Sequence, residues 1–134
     1  MYWCSGGEHL ILNSEDSRPI YIQIAVWLET EILSGHFQSN EKVYSQYQVA
    51  EMFTINPATA AKGLTLLVED EILYKRRGLG MFVTNNAKER ILRKRKEQTL
   101  KKLVVDLVAE AERLGVSEDE LMTMIQTVRG GRGE

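Results

Sequence analysis

Two groups of basic and small residues carry most of the chemistry that this 134-residue sequence suggests. The first is Arg76-Arg77-Gly78-Leu79-Gly80. Its arginines can bind phosphate oxygens, and its glycines let the backbone approach a ligand closely. The second follows Asn56-Pro57 and consists of Ala58, Thr59 and Lys62, which are small or polar and suit a helix turn that faces a polar partner. Taken alone, the two glycines would equally allow a tight turn without any ligand.

A dense cationic stretch lies in residues 87–102, which hold eight basic and two acidic side chains although the whole chain has a net charge of -2. The field near these residues depends on them more than on distant acids. The stretch can lie close to the phosphate backbone of a nucleic acid, form a solvated helix face, or contact anionic lipid. Apolar residues are scarce between Leu92 and Leu100, which disfavours insertion into lipid. Because the stretch begins a few residues after the arginine- and glycine-bearing loop, we favour a position near a phosphate backbone over a solvated face.

The sequence contains no arrangement typical of an enzyme active site. No Ser/His/Asp or Cys/His set is apparent. Cys4, Glu8 and His9 could suggest a metal site, but they lack a fourth ligand and a rigid spacing. Gly78-Leu79-Gly80 lacks the Gly-Lys-Ser/Thr ending of a phosphate-binding nucleotide loop. We therefore expect neither catalysis nor a bound metal, nucleotide or other cofactor.

Length and composition are those of one ordinary domain with a short appendage. The chain is 43% hydrophobic and 27% charged, as in soluble globular proteins. No apolar run approaches the roughly 18 residues that a membrane span needs. The N-terminus lacks the basic and apolar regions of a signal peptide, and the single cysteine cannot form an internal disulfide. These features predict a cytoplasmic protein without membrane contact.

The first third of the chain predicts a tail, a short strand and one helix. Residues 1–9 indicate a flexible tail, and Leu10-Ile11-Leu12 could add a strand. Ser17 can cap a helix whose apolar residues recur every three or four positions until Gly35. The following residues 36–44 show no periodicity.

Two helix starts and a hairpin follow. Ser45-Gln46-Tyr47-Gln48 has the form of a capping box and predicts a helix of barely two turns. Asn56-Pro57 combines an N-cap residue with proline at the first helical position, which predicts a helix to about Glu69. Residues 72–75 and 81–84 flank the glycine-bearing loop and predict a β-hairpin.

The C-terminal part predicts two helices that pair with a second copy of the chain. The first extends from Asn85-Asn86 almost to Gly115, and the second opens at the capping box Ser117-Glu118-Asp119-Glu120 and ends at Gly130-Gly131. Apolar residues recur along them as in a coiled-coil seam, and a monomer would expose them as one patch. The residues expected to form this homodimer are Leu100, Val104, Leu107, Ala111, Leu114, Leu121, Ile125 and Val128.

This order of elements predicts an α+β, mostly α, fold: a winged helix-turn-helix followed by a two-helix dimerisation segment. The DNA-binding domain would cover residues 10–84 and the dimerisation region residues 85–134. In such a domain the N-terminal turn of the recognition helix faces base edges in the major groove, and the wing brings backbone and arginines to phosphates or the minor groove.

The same residues resemble the DNA-binding region of GntR-type transcriptional regulators. The matching motifs, all within residues 10–84, are Pro19-Ile20-Tyr21-x-Gln23-Ile24, Gly35, Ser45, Asn56-Pro57-x-Thr59, Lys62 and Gly78-x-Gly80-x-Phe82-Val83. The short C-terminal part looks most like the YtrA subfamily, whose members are dimeric repressors, often of transporter operons. The resemblance implies contacts to double-stranded DNA from the second and third helices and the wing, at Ser45, Tyr47, Asn56, Ala58, Thr59, Lys62, Arg76, Arg77, Gly78 and Gly80.

Three departures from the family pattern bear on function. Tyr44 and Tyr47 stand where the family has a proline and a phosphate-binding arginine, although a tyrosine hydroxyl can also donate to phosphate. Asn40 replaces a usual glycine, and asparagine is the residue after glycine that best accepts a positive φ. Ala58 replaces a typical asparagine, so operator preference does not carry over from the family.

The leading hypothesis is a dimeric repressor that binds an inverted-repeat operator. The alternative is a winged-helix protein-interaction module without DNA binding, for which Tyr47, Ala58 and the acidic net charge argue. Fifty C-terminal residues in two helices are too few for a large ligand pocket. A small-molecule effector would therefore have to bind at the dimer interface or between domains.

Overall fold

The computed structural model describes residues 16–131. The predicted tail at 1–9, the predicted strand at 10–12 and the residues Cys4, Glu8 and His9 lie outside the described residues. The chain forms two compact units, of which the first ends at Arg93 and the second begins at Lys94. Helices dominate the described residues and accompany one small antiparallel sheet, which confirms the predicted fold class.

The first three helices of the first unit are α1 (Ile20–Leu33), α2 (Gln46–Phe53) and α3 (Pro57–Glu69). The starts of α2 and α3 confirm the sequence predictions. Ser45 forms the complete capping box with Gln48, and the Asn56 side chain accepts the backbone N–H of Ala58 at 2.8 Å. The predicted cap at Ser17 is wrong, because α1 starts after Pro19. Proline disfavours helical geometry for the residue before it, so a helix cannot pass through Arg18.

The core of the first unit lies between the three helices and the hairpin. Its largest fully buried apolar side chains are Ile24, Leu28, Ile32, Leu64, Leu67, Ile72, Leu73 and Ile91. An aromatic group closes one side of this core: the Trp27 ring stacks on Tyr44 at 5.8 Å and meets Phe53 edge-on at 4.8 Å. The position of α3 therefore depends on apolar contacts with both α1 and α2.

The hairpin consists of β1 (Leu73–Arg76) and β2 (Gly80–Val83), which pair antiparallel with Arg76 opposite Gly80. A third segment joins it. Lys42 forms an antiparallel bridge with Phe82, and the Val43 N–H donates to the Met81 carbonyl at 2.9 Å. Residues 36–44, which show no periodicity in the sequence, thus hold the outer edge of β2.

Helix α4 (Ala87–Lys94) follows the hairpin, and its Ala87 and Ile91 are buried in the core of the first unit. That unit therefore extends past residue 84, where the sequence suggested a boundary. The backbone then continues as a π-helix (Arg95–Leu100) into α5 (Lys101–Arg113). The prediction of an unbroken α-helix is wrong here. The backbone N–H groups of these six residues bond five positions back instead of four, and none of their side chains is buried.

The second unit contains the π-helix, α5 and α6 (Glu118–Gly131). Ser117 Oγ accepts the N–H of Glu120, as the predicted cap requires. Of the eight predicted dimerisation residues, Ala111 is buried within the chain and Leu121 is half-buried, while the other six are exposed. Leu103 and Val108, which widen the same apolar stripe, are exposed as well.

Candidate nucleic-acid interface

The helix-turn-helix is formed by α2, a three-residue turn and α3. Thr54 ends α2 in a left-handed conformation with φ 56°, and Asn56 starts α3 two residues later. The buried face of α3 consists of Ala60, Gly63, Leu64 and Leu67. That packing determines which side chains of α3 remain outside the core.

The outer face of α3 carries the residues that the sequence assigned to base contacts. Ala58 and Lys62 are exposed, and Thr59 is half-buried. Pro57 is also exposed, so the first turn of α3 presents only small or polar groups to a partner. Side chains of this size leave room for the turn to approach the floor of a DNA major groove closely.

Lys62 does not extend freely into solvent. Its Nζ lies 4.2 Å from the centroid of the Tyr21 ring, which belongs to α1. This is a cation–π contact between the recognition helix and the helix that supports it. No local pattern in the sequence indicates this contact, because Tyr21 and Lys62 are far apart in the chain.

The tip of the hairpin forms a wing with two glycines in left-handed conformations. Gly78 has φ 76° and Gly80 has φ 114°, values that other residues rarely adopt. The Leu79 N–H donates to the Arg76 carbonyl at 2.9 Å and closes the turn. Arg76, Arg77 and Leu79 are all exposed at this tip. The predicted basic, glycine-bearing loop is thus a projecting turn whose backbone is accessible.

The base of the wing carries a basic residue that the sequence analysis missed. The Lys42 side chain passes over Gly80, such that a Cβ on Gly80 would lie 2.9 Å from Lys42 Cε. Lys42 reaches this place through its bridge to Phe82. The Arg76 guanidinium lies 5.3 Å from the centroid of the Phe82 ring, and Tyr74 stacks on the same ring at 5.7 Å. Lys42 and Arg76 therefore both lie beside Phe82, next to the predicted contacts of the wing.

Asn40 connects the wing to the segment that follows it. Its φ of 68° confirms the expectation that asparagine takes the left-handed conformation of a usual glycine. Its amide nitrogen donates to Asn85 Oδ1 at 2.8 Å, and its amide oxygen accepts from the Tyr74 hydroxyl at 3.0 Å. Its backbone N–H donates to the Val83 carbonyl at 2.7 Å. Asn40 therefore does more than replace glycine, because it also fixes the orientation of the wing.

The two tyrosines that replace family residues have different environments. Tyr44 packs between Trp27 and Phe37, and its hydroxyl lies 3.5 Å from His36 Nε2. Burial raises the pKa of Tyr44, and the nearby Glu31 carboxylate adds to this increase, so the phenol stays protonated. Tyr47, by contrast, is 69% exposed in the first turn of α2. Of the two tyrosines, Tyr47 is the more exposed and the better placed for a phosphate contact.

Other kinds of site find no support in the part of the chain that the structure describes. Within residues 16–131 no group of three or more His, Cys, Asp or Glu residues could hold a metal ion. In the same range no helix is both long enough and apolar enough to cross a membrane.

Two solved structures show what this arrangement is similar to. A GntR-family transcriptional regulator from Bacteroides thetaiotaomicron is 31% identical, with a TM-score of 0.72, over 85% of this chain and 99% of that one. The chain belongs to the GntR family of transcriptional regulators. BusR of S. agalactiae, solved with its busAB promoter DNA, is 25% identical with a TM-score of 0.54, over 87% of this chain and 58% of that one.

Two curated GntR-type relatives differ in how much of their length is matched. The HTH-type transcriptional repressor YtrA of Bacillus subtilis is 27% identical over 90% of this chain and 95% of its own length, which fits the YtrA-like subfamily. The repressor NagR of the same organism is 35% identical over 60% of this chain, but the chain spans only 33% of NagR. No protein-family model matches the chain.

Proposed function

We propose that this GntR-family protein is a repressor that binds an inverted-repeat operator in double-stranded DNA as a homodimer. The observation that carries the proposal is the joint exposure of two surfaces on the first unit. Ala58 and Lys62 in the first turns of α3 are exposed, and so are the two arginines at the tip of the wing. A winged helix uses these two surfaces to bind the major groove and the neighbouring backbone.

Each surface would make a different type of contact. Ala58, Thr59 and Lys62 would face base edges, and Lys62 supplies the charged donor among them. Ser45, Tyr47 and Asn56 would contact phosphates from the helix starts, where backbone N–H groups also point outward. Residues 76–80 and Lys42 would bind phosphates or the minor groove. Phosphate contacts provide affinity and position, whereas base contacts provide sequence preference.

Dimerisation would bury the apolar face of the second unit. Leu107, Leu114, Ile125 and Val128 are exposed in the single chain, together with Leu100 and Val104, and Leu114 is 68% exposed. Soluble monomers rarely expose so many neighbouring apolar side chains. Two-fold pairing would cover them and would place two recognition helices in symmetry-related positions, which requires an operator with the same symmetry.

The proposed repressor uses no catalytic residue and no cofactor, and it acts in the cytoplasm, where it meets the chromosome. A transporter operon is a candidate target, as the resemblance to the YtrA subfamily implies. A small-molecule effector would bind at the dimer interface.

Selection of bound sites from random DNA with the purified full chain tests the proposal. We expect an enriched sequence with two half-sites related by a two-fold axis. The matched control combines Lys62→Ala, Arg76→Ala and Arg77→Ala, three exposed positions whose substitution should spare the core but abolish enrichment. Absence of enrichment with the wild-type chain, or a single half-site bound by a monomer, would contradict the proposal.

The alternative function is a winged-helix module that binds a protein instead of DNA. Tyr47 favours it, because a largely exposed aromatic ring is common in protein interfaces. A DNA mobility-shift assay at increasing salt separates the two functions. Binding that weakens steeply with salt supports the repressor, since phosphate contacts release counterions. No shift even at low salt supports the protein-binding module.

A further inference from the structure

The recognition helix and α1 share a contact outside their common core. The Tyr21 ring of α1 lies beneath the Lys62 ammonium of α3, with Nζ 4.2 Å from the ring centroid. We infer that Tyr21 is a positioning residue, which holds the Lys62 ammonium at one place on the outer face of α3 before DNA binds. The inference rests on the proposed function, in which Lys62 contacts a base edge.

The backbone around this contact is held in place by close packing. Gly63 follows Lys62, and a Cβ on Gly63 would lie only 2.9 Å from the Tyr21 carbonyl oxygen. At the level of Tyr21 the two helices therefore lie too close together to admit a side chain at position 63. The Tyr21 ring on α1 and the Cα atom of Lys62 on α3 therefore belong to two helices whose separation is fixed by packing. The contact is specific to this pair of residues.

A fixed ammonium differs from a free one in its conformational entropy. An exposed lysine has four rotatable side-chain bonds. Ordering it on DNA costs conformational entropy, because the side chain loses the other rotamers that it populated before binding. A cation–π contact at an exposed site favours the ring-bound rotamers by about two- to fivefold. An ammonium has three donors, so the ring can support one side of it while N–H groups remain available for a base edge or phosphate.

The wing contains a second basic group that lies against a ring, since Arg76 lies over Phe82. There the arginine and the ring belong to paired strands of one hairpin, with Arg76 opposite Gly80 and Phe82 two residues further along. Tyr21 and Lys62 come from separate helices. The contact at Lys62 therefore transmits the placement of α1 to a DNA-contacting group of α3, which a hairpin contact cannot do.

The binding test uses the operator that the wild-type chain selects from random DNA. Tyr21→Phe keeps the ring and should preserve affinity and base preference. Tyr21→Leu should weaken binding by about two- to fivefold and reduce discrimination at the base pair that Lys62 contacts. In a Lys62→Met background, Tyr21→Leu should have no further effect. An equal loss in that background would overturn the inference, because Tyr21 would then act independently of Lys62.

NMR of the free protein gives a readout that requires no DNA. The ring should shift the Lys62 ε-methylene protons upfield in the wild type and in Tyr21→Phe, and the shift should vanish in Tyr21→Leu. Random-coil shifts in the wild type would overturn the inference. If Tyr21→Leu does not fold, Tyr21→Met replaces it, because a flexible methionine fills irregular gaps. A wild-type chain that selects no DNA sequence would instead refute the proposed function, with the ring contact still measurable.

Discussion

Gly63 in the middle of α3 lies directly against the backbone of Tyr21 in α1. A Cβ at position 63 would be 2.9 Å from the Tyr21 carbonyl oxygen and 3.1 Å from Ile24 Cγ2. A glycine inside a helix costs about 1 kcal/mol relative to alanine. The recognition helix carries this cost because only a residue without a side chain lets the two helices pack at this distance.

The close approach predicts that Gly63→Ala destabilises the first unit although alanine is the better helix former. Overpacking a core typically costs about 1–3 kcal/mol, which exceeds the gain in helix propensity. The free energy of unfolding from denaturant titration at fixed protein concentration measures the change. Gly130→Ala is the matched control, because nothing lies within 4 Å of that added methyl group. A Gly63→Ala chain as stable as the wild type would mean that α1 and α3 separate without cost.

The hydrogen bonds and the positive φ of Asn40 predict an order of stability among variants at this position. Asn40→Gly removes the side-chain hydrogen bonds to Asn85 and Tyr74 but keeps the left-handed conformation free of strain. Asn40→Ala loses the same bonds and adds a strain of about 1–2 kcal/mol. We therefore expect the unfolding free energy to fall from wild type to glycine to alanine, measured by denaturant titration. Alanine equal to glycine would show that the backbone relaxes at this position.

Arg77 lies in the turn of the wing. We expect its substitution to change the affinity for DNA but not the preference among DNA sequences. Arg77→Ala should weaken binding to operator and random DNA by similar factors and reduce the slope of log affinity against log salt by about one. Titrations at several salt concentrations measure both quantities. Arg129→Ala removes the same charge from the last turn of α6 and should leave the slope unchanged. A loss confined to one operator base would instead assign Arg77 to base recognition.

For Lys62 we expect the opposite of Arg77, namely a change in base preference at one operator position. Lys62→Ala should change the preference at one operator position by about 1–3 kcal/mol if its ammonium donates to a base edge. Affinity measured for a panel of single-base operator variants determines this change. Uniform weakening across the panel would show that Lys62 contacts phosphate.

The apolar face of the second unit predicts that one charge can separate the proposed dimer. Leu107→Glu places a carboxylate in the middle of the predicted seam, where pairing would bury it without a partner. Sedimentation should then show a monomer at micromolar concentration. Val105→Glu is the matched control, because Val105 is exposed on the same helix but lies off the seam. A monomeric wild-type chain would refute the proposed dimer, and a Leu107→Glu variant that stays dimeric would place the interface elsewhere.

The sequence alone determined the elements whose signals are local. The Ser45 capping box and the Asn56-Pro57 start predicted α2 and α3 correctly, because each depends on hydrogen bonds between residues two or three positions apart. The glycines at 78 and 80 predicted the turn of the wing, since a positive φ is a property of the individual residue. The exposure of Ala58 and Lys62 in α3 also followed from the sequence, since small and polar side chains suit a turn that faces a polar partner.

The tertiary structure decided what depends on contacts between distant segments. The cation–π contact of Tyr21 with Lys62, the packing that requires Gly63, and the bridge from Lys42 to Phe82 each join residues about 40 positions apart. No pattern within a short window encodes such a pair, because the distance arises only after the core has packed. For the same reason the sequence did not show that Tyr44 packs against Trp27. This packing leaves Tyr47 as the exposed tyrosine of the candidate interface.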